Sequence, residues 1–284
     1  MYKTLISAKE LAERLRNTDW VIIDCRFTLI DTEQGRRDYN VAHIQGALYA
    51  HLDEDLCGKI IPGKTGRHPL PPIEDLVNTF SKWGIDSQVQ VVAYDDNGGA
   101  MAAARLWWLL HWLGHEAVAV LDGGWSLWRD QDYPMGIGTE IKNSRKFIPD
   151  LRKELNVSTK DVLREIKDQG SLILDSRAIE RYRGEIEPID PVAGHIPTAK
   201  PAPYQDNLDS KGKFLQPEIL RRRFKDIMGA VPAKSTIFYC GSGVTAAQNV
   251  LAVAYAGLGD AKLYAGSWSE WITDPRHPVA TGNE

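Results

Sequence analysis

The chain repeats itself. VIIDCRF (Val21 to Phe27) returns as LILDSRA (Leu172 to Ala178), which sets Asp24 opposite Asp175 and Arg26 opposite Arg177. AHIQGALYAHLD from Ala42 returns as GHIPTAKPAPYQDNLD from Gly194. VVAYDDNGG from Val91 matches TIFYCGSGV from Thr236, and LDGGWSLW from Leu121 matches LYAGSWSEW from Leu263. Four matches in one order mean two copies of one supersecondary pattern, so a single larger core is excluded. The length of 284 residues agrees with two domains at roughly 150 residues each. Within each copy, short apolar β-rich runs (VIID, VVAY, LILD, IFYC) alternate with helical patterns, some opened by capping boxes such as Ser7 with Glu10 and Ser158 with Asp161. Runs apolar on both faces suit strands covered on both sides. The expected fold class is therefore α/β, two similar domains each with a mostly parallel sheet flanked by helices. The polar stretch 137–150 reads as a linker between an N-terminal domain over 1–136 and a C-terminal domain over 151–284.

Composition narrows the function. Apolar residues make up 43% and charged residues 25% of the chain, ordinary for a globular protein and wrong for a disordered or fibrous one. A net charge of −4 offers no electrostatic footprint for nucleic acid or an anionic membrane. The N-terminal MYKTLISAKELAERL lacks the apolar core of a signal peptide. The most apolar stretch, Leu106 to Val120, is interrupted by His111, His115 and Glu116 and reads as a buried helix, so a cytoplasmic location is expected. Cys25, Cys57 and Cys240 are too few and too scattered for a disulfide framework or a zinc cage; no metal or cofactor is expected.

The copies differ where chemistry belongs. After the strand VVAY the first has Asp95; after IFY the second has Cys240, then Gly241, Ser242, Gly243, Val244 and Thr245 before an apolar helix. A cysteine at a strand–loop–helix turn faces free backbone N–H groups and the positive end of the helix dipole, surroundings that favour a thiolate. Gly241 and Gly243 let the loop curl so that its amides converge. A phosphatase loop would end in an arginine, and none of Thr245, Ala246 and Ala247 is one. Residues kept in both copies (Asp24 and Asp175, His43 and His195, Arg26 and Arg177) read as structural, because one copy lacks the cysteine. The tryptophans read as core and fold residues, and Cys25 and Cys57 receive no role.

CGSGVTA resembles the active-site loop of the rhodanese-type sulfurtransferases, in particular the 3-mercaptopyruvate branch, and DSRAIERYRGEIEPIDPVAGHIP and AGSWSEW resemble further segments of that family over nearly the whole chain. The resemblance implies tandem rhodanese domains with the cysteine only in the second. It implies an enzyme that takes a sulfane sulfur from a small anionic donor onto Cys240 as a persulfide. The sulfur then passes to a thiol, a thioredoxin-like protein or cyanide. Arg181 matches the family's donor-binding arginine, with Gly241, Gly243, Val244 and Thr245 lining the cradle. Asp53 and His68 match positions that form, with the loop serine (here Ser242), a serine-protease-like proton relay in the mercaptopyruvate branch. Gly241 and Ser242, where thiosulfate enzymes carry two basic residues, favour mercaptopyruvate. The loop EIEPIDPVAG brings no second arginine and keeps thiosulfate open as donor. The chain is expected as a monomer. The alternative is a non-catalytic or redox-sensing rhodanese-like binding module.

Overall fold

The central strands of both sheets lie on the apolar runs that end in Asp24, Tyr94, Asp175 and Tyr239. The computed structural model describes residues 1–283, which form two compact units. One comprises Met1–Gly58, Pro71–Arg152 and Asp209–Phe214; the other comprises Lys59–Leu70, Lys153–Leu208 and the chain from Leu215 onward. The described strands of the first unit are β1 (Leu5–Ile6), β2 (Trp20–Asp24), β3 (His43–Ile44), β4 (Leu48–Tyr49), β5 (Gln90–Tyr94), β6 (Val118–Leu121) and β7 (Met135–Gly136). Five of them make a parallel sheet in the order β1-β6-β5-β2-β4, and β3 and β7 pair antiparallel. The second unit has β8 (Leu172–Asp175), β9 (Lys200–Pro201), β10 (Thr236–Tyr239) and β11 (Lys262–Leu263) in a parallel sheet of order β11-β10-β8-β9. β5 and β10 are buried at every position, as central strands covered by helices must be.

Register explains the repeat. Asp24 pairs with Tyr94 across β2 and β5, and Asp175 pairs with Tyr239 across β8 and β10. Asp24 and Arg26 are joined by a buried ion pair of 2.6 Å, and Asp175 and Arg177 by another of 2.6 Å. Each arginine then donates to a carbonyl at the start of the next repeat segment, Ala42 in one unit and Gly194 in the other, both at 2.7 Å. The Tyr94 hydroxyl accepts from the Ile44 amide and the Tyr239 hydroxyl from the Ile196 amide, each at 3.1 Å. His43 and His195 stack on Tyr39 and Tyr182 and bond carbonyls at 2.7 Å. The shared polar residues thus tie loops to the sheet. Removing one partner of such a buried pair strands the other charge, a loss of about 3–5 kcal/mol.

Both expected capping boxes form, at Ser7 with Glu10 and at Ser158 with Asp161. Trp107, Trp108, Trp112, Trp125, Trp128, Trp268 and Trp271 are all buried. The stretch Leu106 to Val120 is not one helix. Its helix runs Ala103–Trp112, and Val118–Leu121 is β6. Gly114 breaks it: its φ is +83°, and a Cβ there would lie 2.4 Å from the Asp150 carbonyl oxygen. Apolar residues on both sides of Gly114 hid the change of period, since a buried helix and a covered strand look alike over a short apolar run. Residues 137–150 contain no helix or strand; Phe147 is buried and its amide donates to Ser81 Oγ at 3.1 Å.

Candidate active site

Cys240 is the first residue past β10, placed at the carboxyl end of a parallel strand, where α/β sheets leave a crevice for ligands. The helix Ala246–Tyr255 starts six residues later. The Gly243 amide donates to Cys240 Sγ at 3.2 Å, so the loop does curl an N–H onto the sulfur. Gly243 has φ +74°, and a Cβ there would come within 2.1 Å of the Ala265 carbonyl oxygen; only glycine fits without moving backbone. The other side of the loop is stitched to the segment after β11. Ser267 Oγ accepts from the Cys240 amide (3.1 Å), the Trp268 amide donates to the Cys240 carbonyl (3.0 Å), and the Ser269 amide donates to the Gly241 carbonyl (2.8 Å). Val244 is buried, and Thr245 stands at the helix N-cap without a capping bond from its side chain.

The first copy shows what such a loop holds when the cysteine is gone. The Trp125 amide donates to the Asp95 carbonyl at 2.9 Å, as Trp268 does to Cys240, so Asp95 takes the same station. Its carboxylate accepts from the amides of Asn97, Gly99, Met101, Ala102 and Ala103 at 2.8–3.2 Å. A loop of this build is a cradle for one anion, and here the anion is a side chain.

Residues 59–70, early in the chain, belong to the second unit and bring His68 to the loop. His68 Nδ1 lies 2.7 Å from Ser242 Oγ, and both are buried. Arg181, on the short helix Ile179–Arg183, points its guanidinium at Gly241: a Cβ on that glycine would sit 3.6 and 3.7 Å from Nη2 and Nη1. Glu187 accepts from Arg181 Nε (3.1 Å) and Nη2 (2.7 Å). Burial works against the Glu187 charge, but Arg181 and the Asp190 and Ile189 amides outweigh it and hold its carboxyl below the usual range. Asp53 lies on the other unit, exposed on the helix Leu52–Asp55.

One residue at the loop was missed in the sequence. Arg67 Nη2 lies 3.1 Å from the position of a Gly241 Cβ, nearer than Arg181. The only signal for it was its place beside His68 in TGRHPLPP, since a segment folded against a loop about 170 residues away shows no pattern of its own. The remaining cysteines are ill suited to nucleophilic work. Burial, reinforced by Asp24, pushes the Cys25 thiol well above its ordinary value, and burial pushes Cys57 up to about 12. Glu33, His51 and Glu54 of the first unit bring possible ligand atoms within 4.8 Å of one another. Both His51 nitrogens are already engaged, however, with the Asp53 and Glu54 amides and the Thr32 carbonyl.

The chain resembles known proteins over nearly its whole length. The family model of the rhodanese-like domain matches residues 7–131 and again 158–274. The chain is 46% identical over 280 residues to a Pseudomonas aeruginosa protein named "Probable 3-mercaptopyruvate sulfurtransferase", covering 98% of each. It is 31% identical to the thiosulfate sulfurtransferase of Cricetulus griseus, covering 96% of this chain and 93% of that one. The solved 3-mercaptopyruvate sulfurtransferase from Leishmania major superposes with a TM-score of 0.82 at 31% identity, over 95% of this chain and 74% of its own.

Proposed function

The chain belongs to the rhodanese family, as a sulfurtransferase of two rhodanese-like domains, and on that premise we propose that Cys240 carries the transferred sulfur as a persulfide drawn from 3-mercaptopyruvate. The observation that carries the reading is Cys240 at the end of β10, with the Gly243 N–H on its sulfur and Ser242 bonded to His68 beside it.

The Cys240 thiolate attacks the donor sulfur; the carbon–sulfur bond breaks, its electron pair leaves with pyruvate as the enolate, and an S–S bond forms. The enolate takes a proton at carbon, so Cys–SH and mercaptopyruvate become Cys–S–SH and pyruvate. Ser242 supplies that proton and His68 replenishes it, a general acid–base step across their 2.7 Å contact. Arg181 holds the donor carboxylate through Nη1, the terminal nitrogen that its pairing with Glu187 and Asp190 leaves open. The loop amides steady the anionic persulfide. An acceptor then attacks the outer sulfur: cyanide leaves as thiocyanate and returns the thiolate, while a thiol or a thioredoxin-like dithiol takes the sulfur as its own persulfide. This reading keeps the enzyme independent of metal and cofactor.

Kinetics with mercaptopyruvate and thiosulfate, each with cyanide as acceptor, test the donor. Higher kcat/KM for mercaptopyruvate is expected; the reverse order would assign the site to thiosulfate. Arg181→Lys keeps charge and loses the fork, so donor KM should rise roughly tenfold, about 1.4 kcal/mol. An unchanged KM would remove Arg181 from the site.

A further inference from the structure

The loop Cys240–Thr245 contains two glycines, so its amides keep their aim on the sulfur only if both ends of the loop are fixed. One end is β10, paired along its length with β8. The other is the helix Ala246–Tyr255, whose first turn is held by buried side-chain amides. Asn207, the last residue of the 3₁₀ turn Tyr204–Asn207, directs both of its N–H groups there. Its Nδ2 donates to Gln248 Oε1 at 2.8 Å and to Asn249 Oδ1 at 2.7 Å. Its Oδ1 accepts from Arg223 Nη1 at 3.0 Å, and Asn249 Nδ2 donates onward to the Ala202 carbonyl at 2.8 Å. The segment so gripped is itself bonded to the sheet beside the cysteine. The Ala202 amide donates to the Asp175 carbonyl (2.8 Å), the Tyr204 amide to the Ser176 carbonyl (3.2 Å), and the Ser176 amide to the carbonyl of Tyr239, the residue before Cys240. The frame therefore closes around the loop. Asn207, Gln248 and Asn249 are all fully buried, although replacing both partners of a buried hydrogen bond by apolar groups is often nearly neutral for stability. The first copy has an apolar residue there: the fourth residue of its helix Ala103–Trp112 is the buried Leu106, where the catalytic copy has Asn249. What a satisfied amide network adds over a leucine is one fixed arrangement, because each bond sets direction as well as distance.

We propose that Asn207 is a positioning residue for sulfur transfer: through Gln248 and Asn249 it fixes the first turn of the helix behind Cys240, and so holds the loop amides in place around the sulfur. The inference rests on the reading of Cys240 as the sulfur carrier. Its effect falls on the transfer step and not on donor binding, since no side-chain bond of Asn207 reaches Arg181, Ser242 or His68. A displacement of about 1 Å at a reacting centre can lower a rate by roughly 10²-fold. The same amides serve either donor, so the effect is common to both.

The test is Asn249→Leu, which copies Leu106 of the first unit, with Asn207→Leu as a second variant, each followed through a single turnover by the mass gained at Cys240. Both should load the whole population with sulfur, but with a rate constant lowered roughly tenfold or more for mercaptopyruvate and thiosulfate alike, while donor KM stays within about threefold. A merely structural role would instead leave the rate constant unchanged on a smaller folded fraction. That result overturns the proposal, as does an unchanged rate constant at full loading. Hydrogen exchange of the wild-type protein needs no variant to fold. The backbone amides of 247–250 should exchange as slowly as those of β10, and a first turn that opens well ahead of β10 overturns the proposal too. A wild-type protein that takes up no sulfur at Cys240 would instead sink the parent reading, so the two failures are told apart.

Discussion

Ser242 and His68 stand 174 residues apart in the chain and 2.7 Å apart in space. Their contact carries a donor-specific consequence. Pyruvate enolate needs a proton as it leaves, whereas sulfite departs from thiosulfate as a stable anion. Ser242→Ala and His68→Asn should therefore cut kcat/KM for mercaptopyruvate by roughly 10²-fold and change thiosulfate turnover only a few-fold. Equal losses with both donors would mean that the pair merely shapes the loop. Glu187 gives a second test at this scale. Its folded pKa is lowered, so its pairing with Arg181 contributes fully above the ordinary carboxylate value of about 4.3 and is lost as pH falls through the lower folded value. Glu187→Gln should melt below wild type at neutral pH, and the gap in Tm should narrow as the pH drops below about 4. A gap that stays constant down to pH 3 would place the stabilisation elsewhere.

At the scale of the element, the loop Cys240–Thr245 depends on two glycines for different reasons. Gly243 needs a left-handed backbone and a place with no Cβ, against the rigid Ala265 carbonyl. Gly243→Ala should destabilise the protein by about 1–3 kcal/mol and abolish transfer with either donor. Gly241 faces the far ends of two arginine side chains, which can give way. Gly241→Ala should leave Tm nearly unchanged and act on donor KM. Denaturation curves and donor titrations of the two variants, run in parallel, decide; similar Tm losses would contradict the assignment. Much of this element was legible: Cys240, its flanking glycines and the following helix could all be read from the chain. The Leu106–Val120 stretch was not, because nothing local marks where a buried helix gives way to a covered strand until Gly114 is seen against Asp150.

For the molecule as a whole, the two copies keep one scaffold and divide the chemistry. Asp95 fills its own cradle with a carboxylate, while Cys25 and Cys57 are held protonated by burial. Treatment with donor should thus add about 32 Da once per chain, on the peptide holding Cys240, and Cys240→Ser should add nothing. Added mass on Cys25 or Cys57 would refute the assignment.

The sequence by itself determined the duplicated α/β scaffold, the aspartate, arginine and histidine ties repeated in both copies, and the one loop with a cysteine. These follow from local pattern and from comparison of one half with the other, and both are visible along the chain. Only the tertiary structure decided that 59–70 packs with the second unit, that His68 meets Ser242, and that Arg67 joins Arg181 across Asp190. Those contacts join segments more than 100 residues apart. The position of a charged side chain on an irregular segment depends on which buried carboxylate it finds, and no periodicity in the chain records that choice.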